Sequence, residues 1–213
     1  MRSELPIVGR GMGFFKVNVA VAAEALERWR RSHAWFAKWP PGLVVEHLEG
    51  ELSSGVDRLL PFGPERDREL LWDCGDGQWT AYFDSMPASD AVTAVRGLCR
   101  QAGFEGVVLS DRTSDYDGGR NLQFVLHKGK ETVRAIESLW EGSRTFETYG
   151  EPLSFEETDR YTLRLKRERL TSDMLERYCA NLGLFPYHLS FYGQAGHLLS
   201  DVRTEFQRQS FRF

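Results

Sequence analysis

The residues with the most chemical potential gather between positions 73 and 90, where Asp73, Asp76, Asp84 and Asp90 accompany Trp79 and Tyr82. Two of these carboxylates, if brought together, could act as general acid and base or hold a hard divalent cation through oxygen ligands. Local roles give a simpler account: Asp76 builds an Asp-Gly turn, Asp84 ends a strand and Asp90 caps a helix. Trp79, Tyr82, Asp84 and Asp90 are then expected to bind a partner, as aromatic anchors beside a polar rim.

Other catalytic templates fail at identifiable positions. Gly9, Gly11 and Gly13 are spaced like a phosphate loop, but they precede a strand, whereas such a loop follows one and opens a helix. The Asp115-Tyr116-Asp117-Gly118 run hints at a calcium loop, yet it would put Phe124 where the bidentate carboxylate belongs. His33, His47, His127, His188 and His197 form no close pairs in sequence, and no Cys-x-x-Cys accompanies them, so no metal or cofactor is expected. Cys74, Cys99 and Cys179 could meet a histidine only through space and read as buried thiols. No nucleophile elbow, Walker loop or kinase signature is present, and no catalytic residue is assigned.

Five cationic residues lie between Arg160 and Arg169 with Tyr161 among them, a pattern that superficially resembles a nucleic-acid strip. Glu156, Glu157, Asp159 and Glu168 dilute it, so a solvated, salt-bridged surface is the stronger account. The strict alternation of Tyr161 to Lys166 predicts a strand with a basic face.

The elements that must position these residues follow from pattern. Phe14 to Ala20 reads as a strand. Ala22 to Trp39 reads as a helix ended by Pro40-Pro41, with Ala22, Leu26, Trp29, His33 and Phe36 on its apolar stripe. Trp29, Trp35 and Trp39 on that helix read as core plus rim. Leu70 to Cys74 and Trp79 to Asp84 form an antiparallel pair around Gly75 to Gln78. A helix from about Ser89 to Ala102 has Val92, Val95, Leu98 and Cys99 inward and Gly103 at its end. Gly106 to Ser110, Leu122 to His127 and Thr145 to Tyr149 read as strands, and Glu131 to Trp140 fits either helix or strand. Thr171 or Ser172 caps a last helix through Leu182 with Gly183 after it, and Phe185 to Phe213 is an aromatic tail without clear period. Strand groups interrupted by three helices, without βαβ alternation, predict a single α+β domain over 1–213, a mainly antiparallel sheet covered by about three helices.

With 213 residues, 41% hydrophobic and 27% charged, the chain can close a sizeable core and sits far from disordered compositions. Its net charge of −4 gives no general attraction to polyphosphate, so nucleic acid is disfavoured. An odd number of scattered cysteines, a start lacking the pattern of a signal peptide and no bilayer-length apolar run together predict the cytoplasm and no membrane association.

Trp79-Thr80-Ala81-Tyr82-Phe83-Asp84, followed by Asp90-Ala91, resembles a signature of a family of uncharacterised bacterial proteins. Phe146 to Leu153 with Phe155-Glu156-Glu157 is similar to it as well, as is Arg169-Leu170-Thr171 with Met174-Leu175-Glu176-Arg177-Tyr178 and Leu182-Gly183. The resemblance spans roughly residues 70 to 185. It implies a bacterial origin and carries over no catalytic residue. The chain departs from the pattern at Ser85 and Ala88-Ser89. Acidity, aromatic surplus and the failed templates lead to one expectation: a non-enzymatic bacterial cytoplasmic protein that binds a protein partner, as an immunity protein neutralising a cognate toxin. The alternative is a small hydrolase or nucleotide-processing enzyme using Asp84 and Asp90.

Overall fold

A computed structural model describes residues 11–32, 42–62, 68–86, 91–113 and 120–202. Nine strands form one wholly antiparallel sheet in the order β2-β9-β3-β4-β1-β5-β6-β7-β8. Their spans are β1 Met12–Phe15, β2 Leu43–Glu49, β3 Arg68–Cys74, β4 Thr80–Asp84, β5 Glu105–Thr113, β6 Arg120–Lys128, β7 Glu131–Ser138, β8 Glu147–Tyr149 and β9 Tyr192–Asp201. Four helices are seen among the described residues: α1 Val19–Ser32, α2 Leu52–Asp57, α3 Ala91–Ala102 and α4 Ser172–Asn181. The α+β class and the antiparallel sheet are as expected, with the short α2 as the additional helix.

Both faces of the sheet are covered, which is why the central strands read as unbroken apolar runs. On one face Phe15, Leu71, Tyr82, Val108 and Val125 meet Ala22, Leu26, Ala94, Val95 and Leu98 of α1 and α3. On the other, Phe14, Trp72, Phe83, Leu109, Phe124 and Ile136 meet Val56, Met174, Leu175 and Tyr178 of α2 and α4. Close approach needs glycine at Gly13, where an added Cβ would stand 2.6 Å from Val95 Cγ2. The glycine once compared with a phosphate loop therefore lies inside β1 and seats α3 on the sheet.

The β3–β4 hairpin is found where expected, in register from Glu69↔Asp84 to Asp73↔Thr80. In α4 the Thr171 side chain accepts from Met174 N, and Gly183 has φ +77°, so the predicted start and stop signals both operate. α3 spans the expected helix, although Val92 faces solvent while Ala91 and Ala94 are buried in its place. The candidate caps Ser89 and Asp90 lie outside the described residues.

Several expectations are corrected. The strand expected over Phe14 to Ala20 ends at Phe15, because the Asn18 side chain accepts from Val21 N and opens α1 there. The part of that helix expected beyond Ser32, including Trp35 and Trp39, lies outside the described residues. Of the Glu131 to Trp140 stretch, whose pattern fits either helix or strand, Glu131–Ser138 is a strand. Tyr161 to Lys166 is not a strand: 3-10 turns occupy Thr158–Thr162 and Lys166–Glu168, and Arg169 Nε donates to Leu163 O at 2.7 Å. The tail contains β9, which lies between β2 and β3. No helix among the described residues is long and apolar enough to cross a membrane.

Candidate functional site

Strand periodicity decides what the Trp79 to Asp84 segment can do. Alternate side chains point to opposite faces, so Trp79, Ala81 and Phe83 enter the α2–α4 side while Tyr82 enters the α1–α3 side. Trp79 is 2% exposed, Tyr82 0% and Asp84 3%. These three residues therefore form no shared surface in this conformation, and Asp90 lies outside the described residues. The surface expected from them is interior because aromatic type signalled core here, not contact.

Around Tyr82 the structure builds a polar network instead. The Tyr82 hydroxyl donates to Glu69 Oε1 at 2.7 Å, and the Arg30 guanidinium forks onto Glu69 through Nε at 2.8 Å and Nη2 at 2.6 Å. Arg30 also lies over the Trp29 ring, 4.5 Å from its centre. Burial, then the neighbouring charges of Glu69 and Asp84, push the Tyr82 phenol well above its ordinary range, so it stays a neutral donor. Asp84 is Glu69's partner across the β3–β4 pair, and its Oδ1 accepts from Met86 N at 2.8 Å. The carboxylate neighbouring Asp84 is thus Glu69, which sequence reasoning passed over. Its only signal was an acidic residue at an inward position of an apolar strand.

The remaining carboxylates fill local roles. Asp76 Oδ1 accepts from Gln78 N at 2.9 Å, closing the turn. Asp73 has its carboxyl raised by burial and by the charge of Asp76. All three cysteines are free and buried. Burial raises each thiol, Cys99 to about 12, whereas nucleophilic and metal-binding chemistry needs the thiolate.

A second network was not foreseen at all. Arg134 of β7 donates from Nε and Nη2 to Glu156 at 2.8 and 2.6 Å, and from Nη1 to Tyr149 O and Gly150 O at 3.1 and 2.6 Å. Glu156 also accepts from Leu153 N and from the Tyr161 hydroxyl, both at 2.9 Å, and Tyr161 meets the Tyr178 hydroxyl at 3.2 Å. Glu156, counted by sequence among a dilute basic run, therefore has its side chain buried in an ion-pair network, with Tyr161 as a half-buried member. Arg164, Lys166 and Arg167 remain exposed on the turns.

Two features mark the surface at the β2 end of the sheet. Among the described residues β2 pairs only with β9, leaving its other side as a sheet edge. Val44 and Val202, each about half exposed, meet at its corner, where Val44 lies opposite Ser200 and Val202 N donates to Gly42 O. The Glu46–Arg58 pair stands beside them, bidentate at 2.6 and 2.9 Å. Further along β2, His47 faces His197 in register with ring centres 5.0 Å apart. This pairing was invisible in sequence, where the two histidines lie far apart. No protein family model, curated protein or solved structure matches the chain.

Proposed function

We propose that the chain is a non-enzymatic protein-binding protein of the bacterial cytoplasm, and that it serves as an immunity protein that neutralises a cognate toxin by occluding it. The observation that carries this reading is the corner of the sheet at β2. An edge strand offers a row of main-chain donors and acceptors to an incoming segment. Val44 and Val202 supply an apolar centre beside it, and Glu46 with Arg58 a charged rim. A net charge of −4 favours encounter with a cationic partner.

The test begins with the product of the neighbouring gene, expressed alone and together with this chain. Growth arrest, its reversal by co-expression and a stoichiometric complex on gel filtration are expected. Val44→Lys, at a half-exposed position, should keep the fold and lose both complex and protection. A harmless neighbour, or protection indifferent to Val44→Lys, overturns the proposal.

The second reading, a small hydrolase or nucleotide-processing enzyme using Asp84 and Asp90, keeps only Asp84 among the described residues, where its neighbour across β3–β4 is Glu69. Their bonds argue against it, since Arg30 already occupies Glu69 and Asp84 holds the turn at Met86. It gains ground only if purified protein hydrolyses a nucleotide and Asp84→Asn abolishes the turnover with the fold retained.

A further inference from the structure

Cross-strand pairing puts two metal-ligating side chains together at the edge of the sheet. His47 on β2 and His197 on β9 are direct partners in the register, on one face, with rings tilted by 58° and centres 5.0 Å apart. With Zn–N bonds of about 2.1 Å, an ion stands roughly 3.2 Å from each ring centre, so these centres would subtend roughly 100° at it, close to the tetrahedral angle. The Glu49 carboxylate stands 3.7 Å from His47 Nε2, close enough for its charge to favour a cation bound at that ring. The His47 side chain is 54% exposed, so an ion can reach the pair from solvent. His197 is partly buried, and burial followed by the neighbouring His47 lowers its pKa, which keeps a lone pair available at neutral pH.

We propose that His47 and His197 form a site for a divalent first-row transition ion of the zinc, nickel and copper class, which clips edge strand β2 to β9. Among the described residues no group of three or more His, Cys, Asp or Glu side chains is placed to hold a metal ion, so water fills the remaining positions. Imidazole suits this class, while a hard cation such as magnesium, which prefers oxygen ligands, is rejected. The site stands apart from the partner-binding reading: an ion holding the two strands together needs no second protein.

The experiment titrates the intact, chelator-treated chain with Zn2+ alone by calorimetry, with thermal unfolding followed in parallel. One ion per chain should bind at pH 7.5, raise the unfolding temperature and be lost near pH 5, where imidazoles take up protons. His47→Gln, at an exposed position, should abolish binding while circular dichroism stays unchanged, and Glu49→Gln should weaken it by less than about tenfold, as for the loss of one exposed charge. His188→Gln, which removes the histidine beside Glu176 in another part of the fold, should leave it unaltered. Absence of Zn2+ binding at pH 7.5, or binding that survives His47→Gln, overturns the proposal.

Discussion

Two arginine–glutamate forks brace opposite faces of the same sheet, and they differ in how completely the fold encloses them. In the Arg134–Glu156 pair the side chains are 2% and 0% exposed; Arg134 also donates to two main-chain carbonyls, and Glu156 also accepts from Leu153 N and the Tyr161 hydroxyl. In the Arg30–Glu69 pair they are 16% and 10% exposed, and the carboxylate also accepts from the Tyr82 hydroxyl. A buried charge is tolerated when every polar atom around it is matched, and it becomes a liability once one partner leaves. The first pair ties the turns after β8 to β7, whereas the second pins α1 to β3.

The largest effect should therefore come from Arg134→Ala, which strands Glu156 in the interior. A loss of about 3–5 kcal/mol is expected from urea unfolding midpoints. A smaller loss would mean that water reaches the pocket. Arg30→Ala should cost less, about 1–3 kcal/mol by the same measurement, because Glu69 keeps the Tyr82 hydroxyl and some access to solvent. Equal losses would break the contrast between the faces.

A third and smaller effect separates the faces by pH. His127 on β6 pairs with Gly106 of β5 on the α3 side, its Nδ1 faces the Thr132 hydroxyl at 3.2 Å, and its Nε2 is buried without a hydrogen-bond partner among the described residues. Burial, and then the charge of Arg96, hold its pKa below the ordinary 6.5. On acidification the unfolded chain takes up this proton first, so stability is full above about pH 6.5 and declines below it. His127→Gln should flatten that decline between pH 7 and pH 5 in urea titrations. An unchanged slope would assign the decline to other groups.

How much of this was legible depended on how local the signal was. The β3–β4 turn, the Thr171 cap and the glycines ending α3 and α4 act within a few residues, and all could be read in advance. β9 could not: its Tyr-Gly-Gln-Ala-Gly stretch has poor strand propensity and is strand because β2 and β3 flank it. Tyr161 to Lys166 shows the reverse, a clean alternation overridden by hydrogen bonds from Arg169 and to Glu156. At the candidate site, residue type picked out Trp79, Tyr82 and Asp84 but said nothing about exposure. Glu69, Arg30 and the two histidines became visible only through partners brought in from other strands and helices.

The place of β9 also orders events in time. β2 finds its pairing partner only through contacts such as Leu43 with Asp201, a separation of roughly 150 residues or more, and loops of that span close late. On the ribosome β3 and β4 can zip as soon as they emerge, yet the flank of β3 meant for β9 stays open until Tyr192–Asp201 has been made. During that interval the nascent protein carries an apolar strand, Leu70 to Trp72, paired to β4 on one flank and open on the other, which is the stretch most in need of chaperone cover.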